Sequence, residues 1–199
     1  MMKKLLVWMC MIIVAAGCSN KSDGATIVVN DEIAYNQTIQ DLQLGYMTSF
    51  DLQMDDEQNN EITVWVEEYL DGEREHETLM ETVLMASESK RSIGMGVLDL
   101  SDESKKIILY EKEGSDISSS WTTVKIPVNE EGIKEMDTVV GEEKVEILPG
   151  ETKILAAYRE TAGNAINPLQ FEDQALFEKM IADSSFVLVL KMKIEQKEK

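Results

Sequence analysis

Apolar residues at every second position restrict the fold of this chain more than any other feature of its sequence. In segment 61–70, Ile62, Val64 and Val66 alternate with more polar residues. Successive side chains of a β-strand point to opposite faces of a sheet, so the alternation predicts a strand with one face in a core. Segment 186–195 repeats the pattern, with one face apolar throughout and the other changing from valine to lysine and glutamate. The chain is therefore predicted to be mainly β.

Further strands are predicted where β-branched and aromatic residues concentrate, in segments 105–111, 121–128, 139–148 and 152–159. In the last of these, the alternation places Ile154 on the same face as Ala156 and Tyr158. A tight turn is expected at the Asp-Gly pair 71–72, and a loop at 114–120. Seven to nine strands joined by turns, with few helices between them, predict an antiparallel sandwich.

Two segments depart from the period of two. Segment 171–182 has apolar residues at helical spacing and predicts a short helix before the last strand. Segment 74–86 is rich in helix-forming residues; we predict a strand there, with a helix as the alternative. The expected fold is thus a sandwich with one or two short helices.

The first 17 residues have the features of an export signal. Lys3 and Lys4 are positively charged, and 5–16 is an apolar stretch of 12 residues. A permanent membrane-spanning helix needs about 20 apolar residues, so the stretch suits the apolar region of a signal peptide. It ends in Ala15-Ala16-Gly17, and Cys18 follows at once.

This junction resembles the lipobox of bacterial lipoproteins. In that family the cysteine thiol carries a diacylglycerol, the preceding peptide is removed and the new amino terminus can be acylated. The resemblance implies lipidation of Cys18 and an anchor in the cell membrane on its extracytoplasmic face. Position 15 is alanine, where leucine is commoner in the family. The expected organisation is a signal peptide (1–17), a lipidated cysteine with a flexible tether (18–25) and a single β-sandwich domain (26–199).

A second resemblance concerns the end of the chain. The sequence LPGET at 148–152 lies between two predicted strands, and the last strand alternates apolar residues. Both features are similar to the immunoglobulin-like domains of unknown function on many lipoproteins of Gram-positive bacteria. The resemblance implies an immunoglobulin-like sandwich in which the Pro-Gly-Glu turn connects the two sheets. It implies no functional residue, because that class shares no active site.

Charge and cysteine content argue against several functional classes. The chain has 38 acidic and 19 basic side chains and a net charge of −19, so the phosphates of a nucleic acid would be repelled. Cys10 belongs to the signal peptide and Cys18 would carry lipid. The mature domain is then expected to have no thiol nucleophile, disulfide or thiolate metal site.

No catalytic motif is complete in the sequence. His76 is the single histidine and is expected on the surface, whereas zinc sites normally use several His or Cys ligands. The SESK sequence at 87–90 has the S-x-x-K spacing of penicillin-recognising enzymes, but their S-D-N and K-T-G motifs are missing. We therefore expect neither catalysis nor a cofactor. A hydrolase with two acids from distant strands stays open, because it leaves no local motif.

An acidic stretch offers the oxygen ligands that calcium prefers. Its candidate ligands are Asp51, Asp55, Asp56, Glu57 and Glu61. The stretch lacks the spacing of an EF-hand, and a solvated loop is the preferred interpretation.

Aromatic residues on the predicted strands are candidates for a face that binds a sugar or a peptide. They are Trp65, Tyr69, Trp121 and Tyr158. Burial in the core is the preferred interpretation, because aromatic residues at alternating strand positions commonly pack inside.

These observations lead to the hypothesis of a lipid-anchored extracytoplasmic protein that binds or scaffolds an envelope protein or a cell-wall component. A lipoprotein that binds a small ligand or calcium is the alternative, and a carboxylate-based hydrolase is a third. An exposed aromatic cleft would favour ligand binding. Two facing carboxylates would favour hydrolysis, and a flat apolar patch would favour protein binding.

Overall fold

The computed structural model describes residues 24–30, 34–54, 60–84, 90–101, 103–126, 132–162, 171 and 173–196. The strands in these ranges are β1 (Ala25–Val29), β2 (Gly45–Met54), β3 (Asn60–Leu70), β4 (Glu73–Arg74), β5 (Met80–Leu84), β6 (Lys90–Ser101), β7 (Ser104–Glu113), β8 (Asp116–Lys125), β9 (Ile133–Thr138), β10 (Val145–Ile147), β11 (Thr152–Thr161) and β12 (Phe186–Gln196). The helices are α1 (Ala34–Asp41) and α2 (Gln174–Ala182).

The strands form two antiparallel sheets. The first sheet has the order β10-β1-β2-β6-β7-β8, and the second has the order β4-β3-β12-β11-β9 with β5 also paired to β3. The inner faces of the two sheets share one apolar core. The predicted mainly β antiparallel sandwich with one or two short helices is confirmed.

The last strand confirms the alternation read from the sequence. Phe186, Leu188 and Leu190 are buried in the core between the sheets. Val187 and Val189 point to the outer face of the second sheet, where helix α2 covers them. The second sheet is therefore apolar on both faces beneath α2, and the helix forms a partial third layer.

Strand β11 departs from the predicted alternation. Its pairing with β12 shifts in register between Ile154 and Ala156. A bulge adds one residue to a strand and reverses the faces beyond it. Leu155 therefore lies in the core with Ala156 and Tyr158, whereas Ile154 packs on the outer face. The predicted common face for Ile154, Ala156 and Tyr158 is wrong at Ile154.

The predicted loop at 114–120 is wrong. Strands β7 and β8 form a hairpin in which Glu113 pairs with Asp116 across a two-residue turn. Gly114 begins that turn with a φ of 58°, a conformation that glycine adopts without steric cost. The serines that follow are ordered by pairing with the adjacent strand β7 of the hairpin, which their own low β propensity does not show.

The predicted strand at 139–148 is interrupted. Strand β9 belongs to the second sheet and ends at Thr138, whereas β10 belongs to the first sheet. Residues 139–144 carry the chain from one sheet to the other. The turn at Pro149-Gly150 then returns it from β10 to β11, so the LPGET sequence connects the two sheets, as its resemblance implied.

The remaining segments agree in part with the sequence. Within 74–86, β5 is a strand, and the described part contains no helix. Helix α2 is confirmed and begins after Asp173, whose carboxylate accepts hydrogen bonds from the backbone N–H of Ala175 (2.9 Å) and Leu176 (3.1 Å). Helix α1 was not predicted. Among the described residues, no helix is long and apolar enough to cross a membrane.

Candidate functional site

A groove runs between helix α2 and the outer face of the second sheet. Its volume is about 560 Å³. Its lining residues are Tyr69, Gly72, Ile154, Phe171, Gln174, Phe177, Glu178, Ile181 and Lys191. We call it the α2 groove.

The α2 groove forms where the outer face of β12 changes from apolar to charged. Val187 and Val189 pack against the buried face of α2, which includes Phe177 and Ile181. Two residues beyond Val189, the outer position of β12 is Lys191. The apolar contact that holds the helix ends there, so the groove has an aromatic and aliphatic wall and a charged end.

At the charged end, one buried carboxylate is surrounded by donors. Glu67 is 4% exposed. Its Oε1 accepts from Trp65 Nε1 (3.1 Å) and lies 2.9 Å from Arg74 Nη2. Its Oε2 accepts from the Tyr69 hydroxyl (2.7 Å) and lies 2.8 Å from Lys191 Nζ. We call these five residues the Glu67 cluster.

The donors fix the protonation of the cluster. Burial by itself would raise the pKa of Glu67, but hydrogen bonds from Lys191, Tyr69 and Trp65 outweigh it and hold the pKa below its ordinary value. Burial and the neighbouring carboxylate raise the pKa of Tyr69 to about 12. Glu67 is therefore ionised and Tyr69 is a protonated donor at neutral pH.

The cluster has a local excess of positive charge. One carboxylate faces two cations, Lys191 and Arg74, in a chain whose net charge is −19. Because Glu67 already accepts from four donors, it is a poor proton acceptor for a ligand. Lys191 also lines the groove, as does the carboxylate of Glu178 on α2. Lys191 can therefore bind an acceptor or anionic group on a ligand with an apolar body.

A second group of charges joins the two sheets inside the sandwich. Lys105 is fully buried, and its Nζ lies 2.8 Å from Glu160 Oε1 and also contacts Asp99. The Tyr158 hydroxyl donates to the same Glu160 oxygen at 2.5 Å, and Lys134 Nζ is 3.2 Å from Asp99. We call these five residues the inter-sheet network.

The inter-sheet network is charge-balanced by direct contact. Burial alone would lower the pKa of Lys105, but its hydrogen bonds to Asp99 and Glu160 reverse the effect and raise it. Burial and the neighbouring Glu160 raise the pKa of Tyr158. The two carboxylates thus bind lysine, which identifies the network as a structural connection between the sheets.

The four aromatic candidates do not form one face. Trp65 and Tyr69 meet at Glu67 on the outer face of the second sheet. Tyr158 lies in the core. Trp121 is on β8 of the first sheet, is 62% exposed and has Lys106 Nζ 4.4 Å above its ring.

The acidic candidates are also separated. Asp51 lies on β2 of the first sheet, where it accepts from Asn30 Nδ2 (2.7 Å) and Ser92 Oγ (2.8 Å). Glu61 lies on β3 of the second sheet, opposite Glu195. Asp55, Asp56 and Glu57 lie outside the described residues, as does Cys18. Within the part of the chain that the structure describes, no group of three or more His, Cys, Asp or Glu side chains is arranged to hold a metal ion.

The two sequence candidates for catalysis are His76 and the SESK sequence at 87–90. His76 is exposed, as expected, and its Nε2 lies 3.7 Å from the carboxylate of the buried Glu68. Of the SESK sequence only Lys90 is described, at the start of β6.

The sequence did not identify the residues that complete the site, which are Glu67, Arg74 and Lys191. The alternation of β3 does assign Glu67 to the same face as Trp65 and Tyr69. Its cationic partners come from β4 and β12. The predicted tight turn at Asp71-Gly72 folds β4 back on β3 and pairs Arg74 with Tyr69, whereas no local pattern brings β12 beside β3.

Comparison of the chain with protein-family models, with curated proteins and with solved structures gives no match.

Proposed function

We propose that this protein is a lipid-anchored, extracytoplasmic binding protein of the cell envelope that performs no catalysis. The lipobox sequence at 15–18 supports the anchor. The observation that supports the binding function is the α2 groove, whose charged end is formed by Lys191 of the Glu67 cluster.

The groove favours a partner with an apolar group beside a carboxylate or carbonyl oxygen. Phe171 and Phe177, with ring centroids 5.8 Å apart, form an aromatic wall. Lys191 supplies a cation at the end of that wall. An envelope protein segment or a cell-wall peptide with an apolar side chain near a carboxylate has this chemistry.

A free small ligand is the second candidate, and the size of the groove favours it. Ligand pockets commonly enclose about 300–1,000 Å³, and the α2 groove has about 560 Å³. The hydrolase alternative gains no support from Asp99 and Glu160, because both carboxylates contact Lys105.

Photo-cross-linking on intact cells tests the proposal. A photoreactive amino acid replaces Gln174 at the rim of the groove, and in a control it replaces Gln53, which is exposed on β2 of the first sheet. We expect a discrete adduct from position 174 only. Equal adducts from both positions would show that the groove is not the binding surface.

A pair of lysine variants tests the role of the charged end. Lys191→Met removes the groove cation, whereas Lys193→Met removes the next outward-facing lysine of β12, which contacts Glu195. We expect the adduct from position 174 to be lost in the first variant and retained in the second. Retention in both would exclude Lys191 from binding.

A further inference from the structure

The hairpin of β7 and β8 carries lysines and a tryptophan on the outer face of the first sheet. Ile107, Leu109 and Val124 point into the core, so alternation places the residues next to them on the outer face. The residues of this surface that bear on binding are Lys106, Lys112, Ser119, Trp121, Thr123 and Lys125. We call it the hairpin face.

The hairpin face is basic although the chain as a whole is acidic. The outward positions of the two strands, from 106 to 112 and from 117 to 125, are all described, and lysine supplies their charged side chains. Glu111 and Glu113 of β7 alternate with Lys112, and they lie 3.6 and 3.5 Å from Arg91, which is buried on the other side of the sheet. The acids of β7 therefore point away from the face that its lysines occupy.

The tryptophan at the middle of this face is open to solvent. Trp121 is 62% exposed, and Lys106 Nζ lies 4.4 Å from the centre of its ring. The attraction between the cation and the ring holds the two side chains together. Ser119 and Thr123 flank Trp121 on the same face and are also exposed. An apolar ring, a cation and two hydroxyl groups are thus presented side by side.

The net charge of −19 does not prevent an anion from contacting this face. At physiological ionic strength, interactions between exposed charges are largely screened beyond about 8 Å. Lys106 and Lys112 are six positions apart on β7, which corresponds to about 20 Å at roughly 3.3 Å per residue. Each lysine therefore acts on its own part of a ligand, and an extended anion can contact more than one of them.

We infer that the hairpin face binds an acidic polysaccharide, an extended chain of sugar rings that carry carboxylates. In such a chain the charge is attached to the ring itself, which matches the direct contact of Lys106 with Trp121. The C–H face of a sugar ring packs on the tryptophan, and its hydroxyls match those of Ser119 and Thr123. This inference is independent of the α2 groove, which lies on the outer face of the second sheet.

The test is calorimetric titration of the full chain in detergent with trigalacturonate. The neutral galactose trimer and a triglutamate peptide are the controls, because the first has the rings without the charge and the second has the charge without the rings. We expect trigalacturonate to bind at least about tenfold more tightly than either control, equivalent to about 1.4 kcal/mol. Equal binding of triglutamate would assign the face to an acidic peptide and overturn the inference. Equal binding of the neutral trimer, or failure of trigalacturonate to bind, would also overturn it.

Matched variants locate the binding. Lys106→Met removes the cation and Trp121→Ala removes the ring, both at the surface of the hairpin. Lys179→Met and Leu176→Ala are the controls, because they make the same kinds of change at exposed positions of α2. We expect the Kd for trigalacturonate to rise about tenfold in each hairpin variant, equivalent to about 1.4 kcal/mol, and to stay unchanged in the controls. Thermal melts verify that all four variants are folded.

An effect of Lys106→Met without an effect of Trp121→Ala would show a contact with the charge alone and would contradict binding of a sugar ring. An equal loss of affinity in the α2 variants would place the binding elsewhere.

Discussion

Glu67 is stable beneath the edge of an apolar interface because each of its oxygens has two donors. Removing one partner of a buried ion pair is more harmful than replacing the whole pair, since the other partner stays uncompensated. Here the uncompensated partners would be Lys191 and Arg74, which both face the same carboxylate. The residue therefore stabilises the sheet and positions the groove cation.

Glu67→Gln should lower the free energy of unfolding by about 2 kcal/mol, less than the roughly 3–5 kcal/mol of a fully buried pair because Arg74 is partly exposed. Glu195→Gln is the control, because its pair with Lys193 is exposed and contributes at most about 1 kcal/mol. Urea denaturation measures both. An equal loss in the two variants would show that the Glu67 cluster adds no stability.

Glu68, the next residue, shows the opposite electrostatic behaviour. It points into the sandwich, and burial raises its pKa, although the nearby His76 opposes the shift. An acid whose folded pKa is raised favours folding below its unfolded pKa, about 4.3, and this contribution is lost as pH rises through the folded pKa. The depressed pKa of Glu67 acts in the reverse sense, and its contribution is lost as pH falls through the folded pKa.

Glu68→Gln should therefore raise the melting temperature at pH 7 and change it little at pH 4, where the wild-type carboxyl already carries a proton. His76→Ala serves as the companion variant, because His76 and Glu75 are the neighbours that act electrostatically on Glu68. Thermal melts of both variants and the wild type between pH 4 and pH 7 test whether the charge of Glu68 destabilises the fold. A gain of the same size at both pH values would assign the effect to packing rather than to charge.

At the scale of elements, helix α2 depends on its cap and on the apolar outer face of β12. Asp173→Ala removes both hydrogen bonds to the first turn, and we expect a loss of about 1 kcal/mol. Asp183→Ala at the other end removes only an exposed contact of 3.9 Å with Lys179 and should have little effect. Denaturant titration gives both values. If the two variants lost the same unfolding free energy, the cap would not determine the stability of the helix.

Strands and helices whose apolar residues keep a regular spacing could be predicted from the sequence, and the other elements could not. Strands β3 and β12 and helix α2 follow directly from the spacing of their apolar residues. The bulge at Leu155 depends on the pairing of β11 with β12, which the sequence of β11 alone does not specify. The serines of β8 form a strand because they pair with β7, and their own sequence does not indicate this. The same reason explains the site. The shared face of Trp65 and Tyr69 follows from alternation, and Arg74 reaches Glu67 across the tight turn at Asp71-Gly72. Lys191 reaches Glu67 only through strand order.

At the scale of the whole molecule, the inter-sheet network holds the two layers in register. Asp99 and Lys105 belong to the first sheet, and Lys134, Tyr158 and Glu160 belong to the second. The Lys105–Glu160 and Lys134–Asp99 contacts therefore link strands of different sheets, which share no backbone hydrogen bonds. Such a network opposes sliding of one sheet over the other.

Lys105→Met should lower the free energy of unfolding by about 3–5 kcal/mol, because it leaves the Asp99 and Glu160 carboxylates without their shared cation. Lys106→Met is a matched control one position along β7, where the side chain lies over the exposed ring of Trp121. Chemical denaturation of both variants measures the difference. A loss in Lys105→Met no greater than that in the control would mean that the network does not hold the sheets together.

The position of the start of β1 relates the fold to the proposed membrane anchor. Ala25 pairs with Met54 at one end of β2, and Gly45 lies at the other end. Over the 10 residues of β2 the domain extends about 30 Å, at roughly 3.3 Å per residue. The end near Gly45 would therefore point away from the membrane if the chain is attached through Cys18.

Replacement of the two cysteines tests the anchor itself. Cys18→Ala removes the thiol to which the lipid would be joined, so we expect the protein to leave the membrane fraction in an alkaline wash. Cys10→Ala changes the other cysteine of the chain, within the apolar stretch of the signal, and should leave anchoring intact. Two or three acyl chains bind a bilayer stably because each buried methylene contributes about 0.8 kcal/mol, and Cys18→Ala would lose that contribution. Membrane retention of Cys18→Ala at the level of Cys10→Ala would refute the lipobox interpretation.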